Sequence, residues 1–127
     1  MEKSDRKTPP EELRRQASIR LAQVKAAGLD GQVGEVARFM AYAAGFEMEA
    51  FATYPRQDFK NRRKSGMAAF RLFSEISDHQ HVVTFGTLML EILDGNLSRD
   101  AKREIKTGIK KSRAQLPQSP IPPVQNI

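Results

Sequence analysis

The chain of 127 residues predicts an all-α fold, a compact bundle of five or six helices followed by a disordered proline-rich C-terminal tail. Three observations carry that expectation. Apolar residues recur at steps of three and four through most of the chain, the mark of helices with one buried face. Residues that start or stop helices stand between those runs. No segment shows the apolar and polar alternation of β-branched residues that a half-buried strand needs.

Residues 1–7 hold little that can be buried and read as a frayed N-terminus, 8–115 as one helical domain, and 116–127 as the tail. Thr8-Pro9-Pro10-Glu11 sets a hydroxyl at the N-cap, proline at the first helical position and a carboxylate at N3, a capping box. A first helix follows, with Leu13, Ala17, Leu21 and Val24 on its apolar stripe and Gly28 placed to end it before Leu29-Asp30-Gly31. Val33, Val36, Ala37, Met40, Ala41 and Ala44 then mark a second helix.

Gly45 interrupts that pattern, Phe46 to Tyr54 resumes it, and Pro55 sets a boundary because it lacks the backbone donor a helix interior requires. Phe59, Phe70, Phe73 and Ile76 define the next apolar face, with a break expected between Lys60 and Gly66. Asp78 caps a helix whose Val82, Val83, Phe85, Leu88, Met89, Leu90, Ile92 and Leu93 are apolar nearly all round, so it belongs in the interior. Gly86 in its middle weakens it by about 1 kcal/mol, an amount that close approach of a neighbouring helix can offset. After the turn Asp94-Gly95-Asn96, Ser98 caps a last helix with Leu97, Ala101, Ile105 and Ile109 on one side and Lys102, Lys106 and Lys110 on another. The tail holds four of the seven prolines, and Pro117, Pro120 and Pro123 meet the minimal spacing of a polyproline ligand.

Composition narrows the function. The chain has no cysteine, which excludes a disulfide framework, a thiolate metal site and a cysteine nucleophile and points to a reducing cytoplasmic setting. No signal peptide is read at the start, and the longest apolar run, Val82 to Leu93, is short and broken by Thr84, Thr87 and Glu91, so no membrane association is expected. The net charge of +6 is concentrated in two blocks, Arg56, Lys60, Arg62, Arg63, Lys64 and Arg71 in the middle and Arg99, Lys102, Arg103, Lys106, Lys110, Lys111 and Arg113 near the end. Such blocks suit a polyanionic partner or plain solvated helix faces.

The most specific spacing is Ala41, Gly45, Phe46, Phe51 and Tyr54. It resembles the helix-turn-helix motif of bacterial regulators, in which a small residue admits the second helix, glycine takes the left-handed turn and apolar residues lock the second helix to the core. The resemblance implies a supporting helix over Ala37 to Ala44 and a recognition helix over Glu47 to Tyr54, exposing Glu47, Met48, Glu49, Ala52, Thr53 and Arg56. One longer helix, straight or bent at Gly45, is the alternative reading of the same residues.

The DNA-binding set expected from motif and charge is Glu49, Thr53, Arg56, Lys60, Arg62, Arg63, Lys64, Lys102, Lys106 and Lys110. Tyr54 and Phe59 among these cations leave single-stranded RNA open as a ligand. His79 and His81, two apart, do not share a helix face, so neither a metal nor a cofactor is expected. No phosphate-cradling glycine loop, nucleophile elbow or HExxH string occurs, which argues against an enzyme. The expectation is a small DNA-binding transcriptional regulator or accessory protein acting as a homodimer on duplex DNA. The alternative is a non-enzymatic helical module, an adaptor, antitoxin-like inhibitor or chaperone, that binds a protein partner.

Overall fold

The computed structural model describes residues 8–29, 31 and 33–117. Its helices are α1 (Pro10–Leu29), α2 (Val33–Thr53), α3 (Phe59–Glu75), α4 (His79–Leu93) and α5 (Arg99–Gln115), with one 3-10 turn at Asp94–Asn96 between the last two. The all-α expectation holds, with five α-helices and no strand among the described residues. The frayed segment 1–7 and the tail beyond Pro117, with its proline spacing, lie outside the described residues.

Local chemistry sets most boundaries. The N–H groups of Glu12 and Leu13 donate to the Pro9 carbonyl, so α1 begins one residue later than the capping box places it. It runs past Gly28, and the turn falls at Gly31, whose φ of 73° is a conformation glycine adopts without strain. Asp58, Asp78 and Ser98 cap α3, α4 and α5 by accepting from the backbone N–H of Asn61, His81 and Ala101. At the end of α3, Asp78 N–H reaches the Phe73 carbonyl and Ser77 N–H the Ser74 carbonyl, a Schellman pattern that places Ser77 at φ 59°.

Two expected breaks are absent. α2 runs without interruption from Val33 to Thr53, and Gly45 sits inside it. α3 is equally continuous across Lys60 to Gly66. The single chain reversal between them lies at Tyr54 to Asp58, where Pro55 cannot extend α2 and Asp58 starts α3. The helix-turn-helix resemblance is therefore corrected: the two proposed helices are one, Ala41 is exposed, and Gly45 is half-buried with nothing within 4 Å of a Cβ built on it.

α1 and α2 form an antiparallel hairpin, with Leu13 packed on Ala50 and Tyr54 and the Arg14 side chain on Glu47. The main core lies between the C-terminal half of α2 and the remaining helices. Phe51, Phe70, Phe73, Val82, Phe85, Met89, Leu93, Ile105 and Ile109 are all buried there. Each such side chain contributes about 1.5–3 kcal/mol on burial. The Phe85 ring stands edge-on to Phe51 at 5.2 Å and to Phe73 at 6.2 Å between centroids.

Phe70 explains two glycines. A methyl group built at Gly86 of α4 would lie 2.9 Å from its Cε1, and one at Gly108 of α5 would lie 2.7 Å from its Cζ. The ring fills the space those absent side chains leave, and α3, α4 and α5 close around it. α4 is antiparallel to both its neighbours, so α3 and α5 run side by side in the same direction, tied by Arg71 to Glu104 and by Arg63 to the Asn96 carbonyl.

Candidate functional site

The cations divide into three groups by what lies behind them. Arg62 belongs inside: it is 7% exposed, its Nη1 donates to the Arg56 carbonyl at 3.1 Å and its Nε to the Phe51 carbonyl at 3.4 Å, and its guanidinium lies 4.8 Å from the Phe51 ring centroid. It satisfies the carbonyl of Phe51 near the end of α2 and fastens the turn into α3. Its assignment to a DNA-binding surface is corrected, because the side chain is turned into the fold and is 7% exposed.

The expected recognition surface is exposed only in part, at Glu49, Ala52 and Arg56. Glu47 is buried at 4% exposure and accepts from Arg14 through Oε1 at 2.8 Å and Oε2 at 3.4 Å, joining α1 to α2. Met48 packs against the main core, and Thr53 Oγ1 donates to the Glu49 carbonyl within its own helix. Glu49 remains exposed, but it lines a shallow cleft with Arg20 and Tyr42 on the hairpin, apart from the basic surfaces. Tyr54 is buried, which removes it as a stacking face for single-stranded RNA, and Phe59 is partly buried against the core. Ser65, beside the cations, is fully buried as well.

The second group is a line on α5. Arg99, Lys102, Lys106, Lys110 and Arg113 follow one another at steps of three and four, so they share one flank of the helix. Lys106, Lys110 and Arg113 line a cleft of about 360 Å³ between α4 and α5 whose other walls are Thr87, Leu90 and Ile109. No carboxylate lines it. Among the described residues none of these three cations forms an ion pair; Lys102 alone on this line reaches a carboxylate, Asp94, at 4.0 Å. The line arises because Ile105, Ile109 and Ser112 take the buried face, which leaves the residue after each of them, Lys106, Lys110 and Arg113, to solvent.

The third group faces the opposite flank of α5. Arg63 and Lys64 of α3 share a cleft with Arg14 of α1, Arg71 of α3 and Ser98 at the start of α5. Farther along, Arg71 donates to both carboxylate oxygens of Glu104 at 2.8 and 2.9 Å, and these hydrogen bonds, with a smaller share from its charge, hold the Glu104 carboxyl below its ordinary value of 4.5. Arg56 and Lys60 are exposed and line neither cleft. Arg71 also borders a cleft with Arg103 and Lys111 of α5, so the middle and late basic blocks meet along this flank. The lysines 102, 106 and 110 belong to the other flank.

The two histidines are parted. Nδ1 of His79 lies 2.9 Å from Ser112 Oγ at the α4–α5 contact, whereas His81 pairs with Asp78 Oδ2 at 2.8 Å and stacks on Phe73 at 4.5 Å between centroids. Among the described residues no three metal-ligating side chains converge. No helix of the described residues is long and apolar enough to cross a membrane.

Sequence reading missed Arg14 and Arg71 as members of a basic cleft. The signal was faint: Arg14 is one of a pair on α1, and only the return of α3 beside α1 and α5 brings the two together. No protein-family model matches the chain, and neither the curated proteins nor the solved structures compared with it show significant similarity.

Proposed function

We infer that the protein is a small non-enzymatic helical module that binds the phosphate backbone of nucleic acid, duplex DNA first, through the cationic flank of α5. The observation that carries this reading is the line of cations from Arg99 to Arg113, whose Lys106, Lys110 and Arg113 border an open cleft without a carboxylate. The line rises about 21 Å along the helix axis. Each strand of a duplex offers about six phosphates over that length. Like charges held in a row repel one another, and a polyanion relieves that repulsion while releasing its own counterions.

Such contacts position a protein on the duplex without reading its bases. With no separate recognition helix at Glu47 to Tyr54, an accessory protein fits better than a regulator that reads an operator. One helix supplies few contacts, so the reading includes a homodimer that doubles them, acting in the cytoplasm.

Fluorescence anisotropy with a labelled duplex across a salt series tests it. Four phosphate contacts give a slope of log affinity against log salt of about −3.6. Lys106→Ala with Lys110→Ala should flatten it by about 2. Absence of binding at low salt refutes the reading, and tighter binding to single-stranded RNA reassigns the ligand.

A second reading, a protein-interaction module, is favoured by one observation. Ile19, Leu21 and Tyr42 on the α1–α2 hairpin are 40%, 38% and 46% exposed, a large apolar side-chain area for so small a pair of helices. It predicts a protein partner that stays bound at high salt and after nuclease treatment.

A further inference from the structure

Arg14 of α1 and Arg63, Lys64 and Arg71 of α3 line one open cleft of about 480 Å³, closed on its third side by Ser98 and Ala101 of α5. No carboxylate is among its walls. Three of the four cations are held from behind. Glu47 engages Nε and Nη2 of Arg14, Glu104 engages Nε and Nη2 of Arg71, and the Asn96 carbonyl accepts from Nη1 of Arg63.

That arrangement matters because a guanidinium has five donors in a rigid plane. A carboxylate gripping the Nε and Nη2 edge orients the plane and leaves the Nη1 donors free for a second anion. Arg14 and Arg71 are thus fixed in place before any ligand arrives, while Lys64 is exposed and adds a movable ammonium. Four cations and the two carboxylates behind them leave a local charge of +2. A phosphate monoester carries about −1.5 to −2 near neutral pH, against −1 for a backbone diester.

We propose that this cleft binds a phosphate group as the dianion, the form carried by a phosphate monoester. It lies on the flank of α5 opposite the line formed by Lys106, Lys110 and Arg113, and it does not depend on the backbone reading. The monoester belongs either to a small phosphorylated molecule or to the 5′ end of a polynucleotide. Both present the same three oxygens to the same donors.

The experiment titrates the full chain with inorganic phosphate at constant ionic strength and follows backbone amide NMR signals. Saturable shifts at Arg63, Lys64 and Ser98 to Ala101 are expected, with weaker ones on the α5 line. Lys64→Gln and Arg63→Gln, both on side chains outside the core, should each weaken phosphate binding by about tenfold, the worth of one charge-assisted hydrogen bond. Lys106→Ala with Lys110→Ala should leave it unchanged. That last comparison separates this site from backbone binding, since each can fail without the other.

A second arm compares 5′-phosphorylated and 5′-hydroxyl oligonucleotides of one sequence at salt high enough to suppress backbone contacts. A preference for the phosphorylated end assigns the cleft to polynucleotide termini, and equal affinity with retained phosphate binding assigns it to small esters. Shifts that never saturate, or that persist unchanged in both Gln variants, overturn the proposal.

Discussion

Replacing Gly45 with alanine distinguishes the two backbone paths open to this sequence, because they predict opposite signs. In the structure Gly45 is interior to α2, and a methyl group built on it finds nothing within 4 Å. Alanine then gains the helix propensity that glycine lacks, about 0.8–1.0 kcal/mol, with no packing loss to set against it. In a helix-turn-helix the same residue takes a left-handed conformation, where a Cβ costs about 1–2 kcal/mol. The two readings thus differ by roughly 2–3 kcal/mol, well beyond measurement error.

Urea unfolding followed by far-UV circular dichroism measures it. With an m-value of about 1–3 kcal/mol/M, Gly45→Ala should raise the midpoint by roughly 0.3–0.9 M and leave m unchanged. Thermal melting should rise by about 4 °C. A fall in stability of 1 kcal/mol or more would refute the continuous helix, and with it the phasing that buries Glu47 and exposes Ala41.

Four further outcomes follow from the packing. Gly108→Ala should lose about 1–3 kcal/mol in the same unfolding assay despite its better helix propensity, since the Phe70 ring it meets is hemmed in at Gly86 on α4. Arg62→Met should lose about 2–3 kcal/mol by stripping the Phe51 and Arg56 carbonyls of their donor, and an unchanged midpoint would contradict the buried clamp. Ser77→Gly should gain about 1 kcal/mol by relieving the left-handed serine after α3; a loss would show that its φ of 59° is not the native one. Glu104, Asp58 and Glu12 have folded-state values below their ordinary ones, lowered by Arg71, by the Asn61 donors and, to about 2, by Arg15. Their contribution is complete above about pH 4.5 and is lost as pH falls through the lowered values, so stability should decline on acidification and Glu104→Gln should make that decline shallower.

Much of the fold was legible residue by residue. Helix starts at Asp78 and Ser98, the stop at Pro55 and the close approach at Gly86 are consequences of local hydrogen bonding and of apolar periodicity. The interior placement expected for α4 is corrected, because Val82, Phe85, Met89 and Leu93 are buried while Leu88 and Ile92 on its other face are 41% and 38% exposed. The α5 line was legible for the same reason, since Lys102, Lys106 and Lys110 share a face whenever the segment is helical at all.

Whether Gly45 turns was not legible, because glycine tolerates both backbone paths and the choice falls to its neighbours. Ala43, Ala44, Ala50 and Phe51 are each buried on one continuous helix, Ala50 beside Leu13 of α1 and Ala44 and Phe51 in the main core, and a turn at Gly45 would throw half of them out of register. The fate of the middle basic block was equally hidden. Arg62, Arg63 and Lys64 are adjacent in the chain, yet helical rotation by about 100° per residue sends the first inward to two carbonyls and the others to a cleft beside α5.

The helical class, the caps at Asp78 and Ser98, the stop at Pro55 and the charged flank of α5 thus came from the sequence by itself, since neighbours within one turn decide them. Which cations are buried, which carboxylates stand behind them and which face of α2 meets water were decided only by the tertiary structure. Those outcomes depend on groups some thirty residues apart, Arg14 with Glu47 and Arg71 with Glu104, that no local rule brings together.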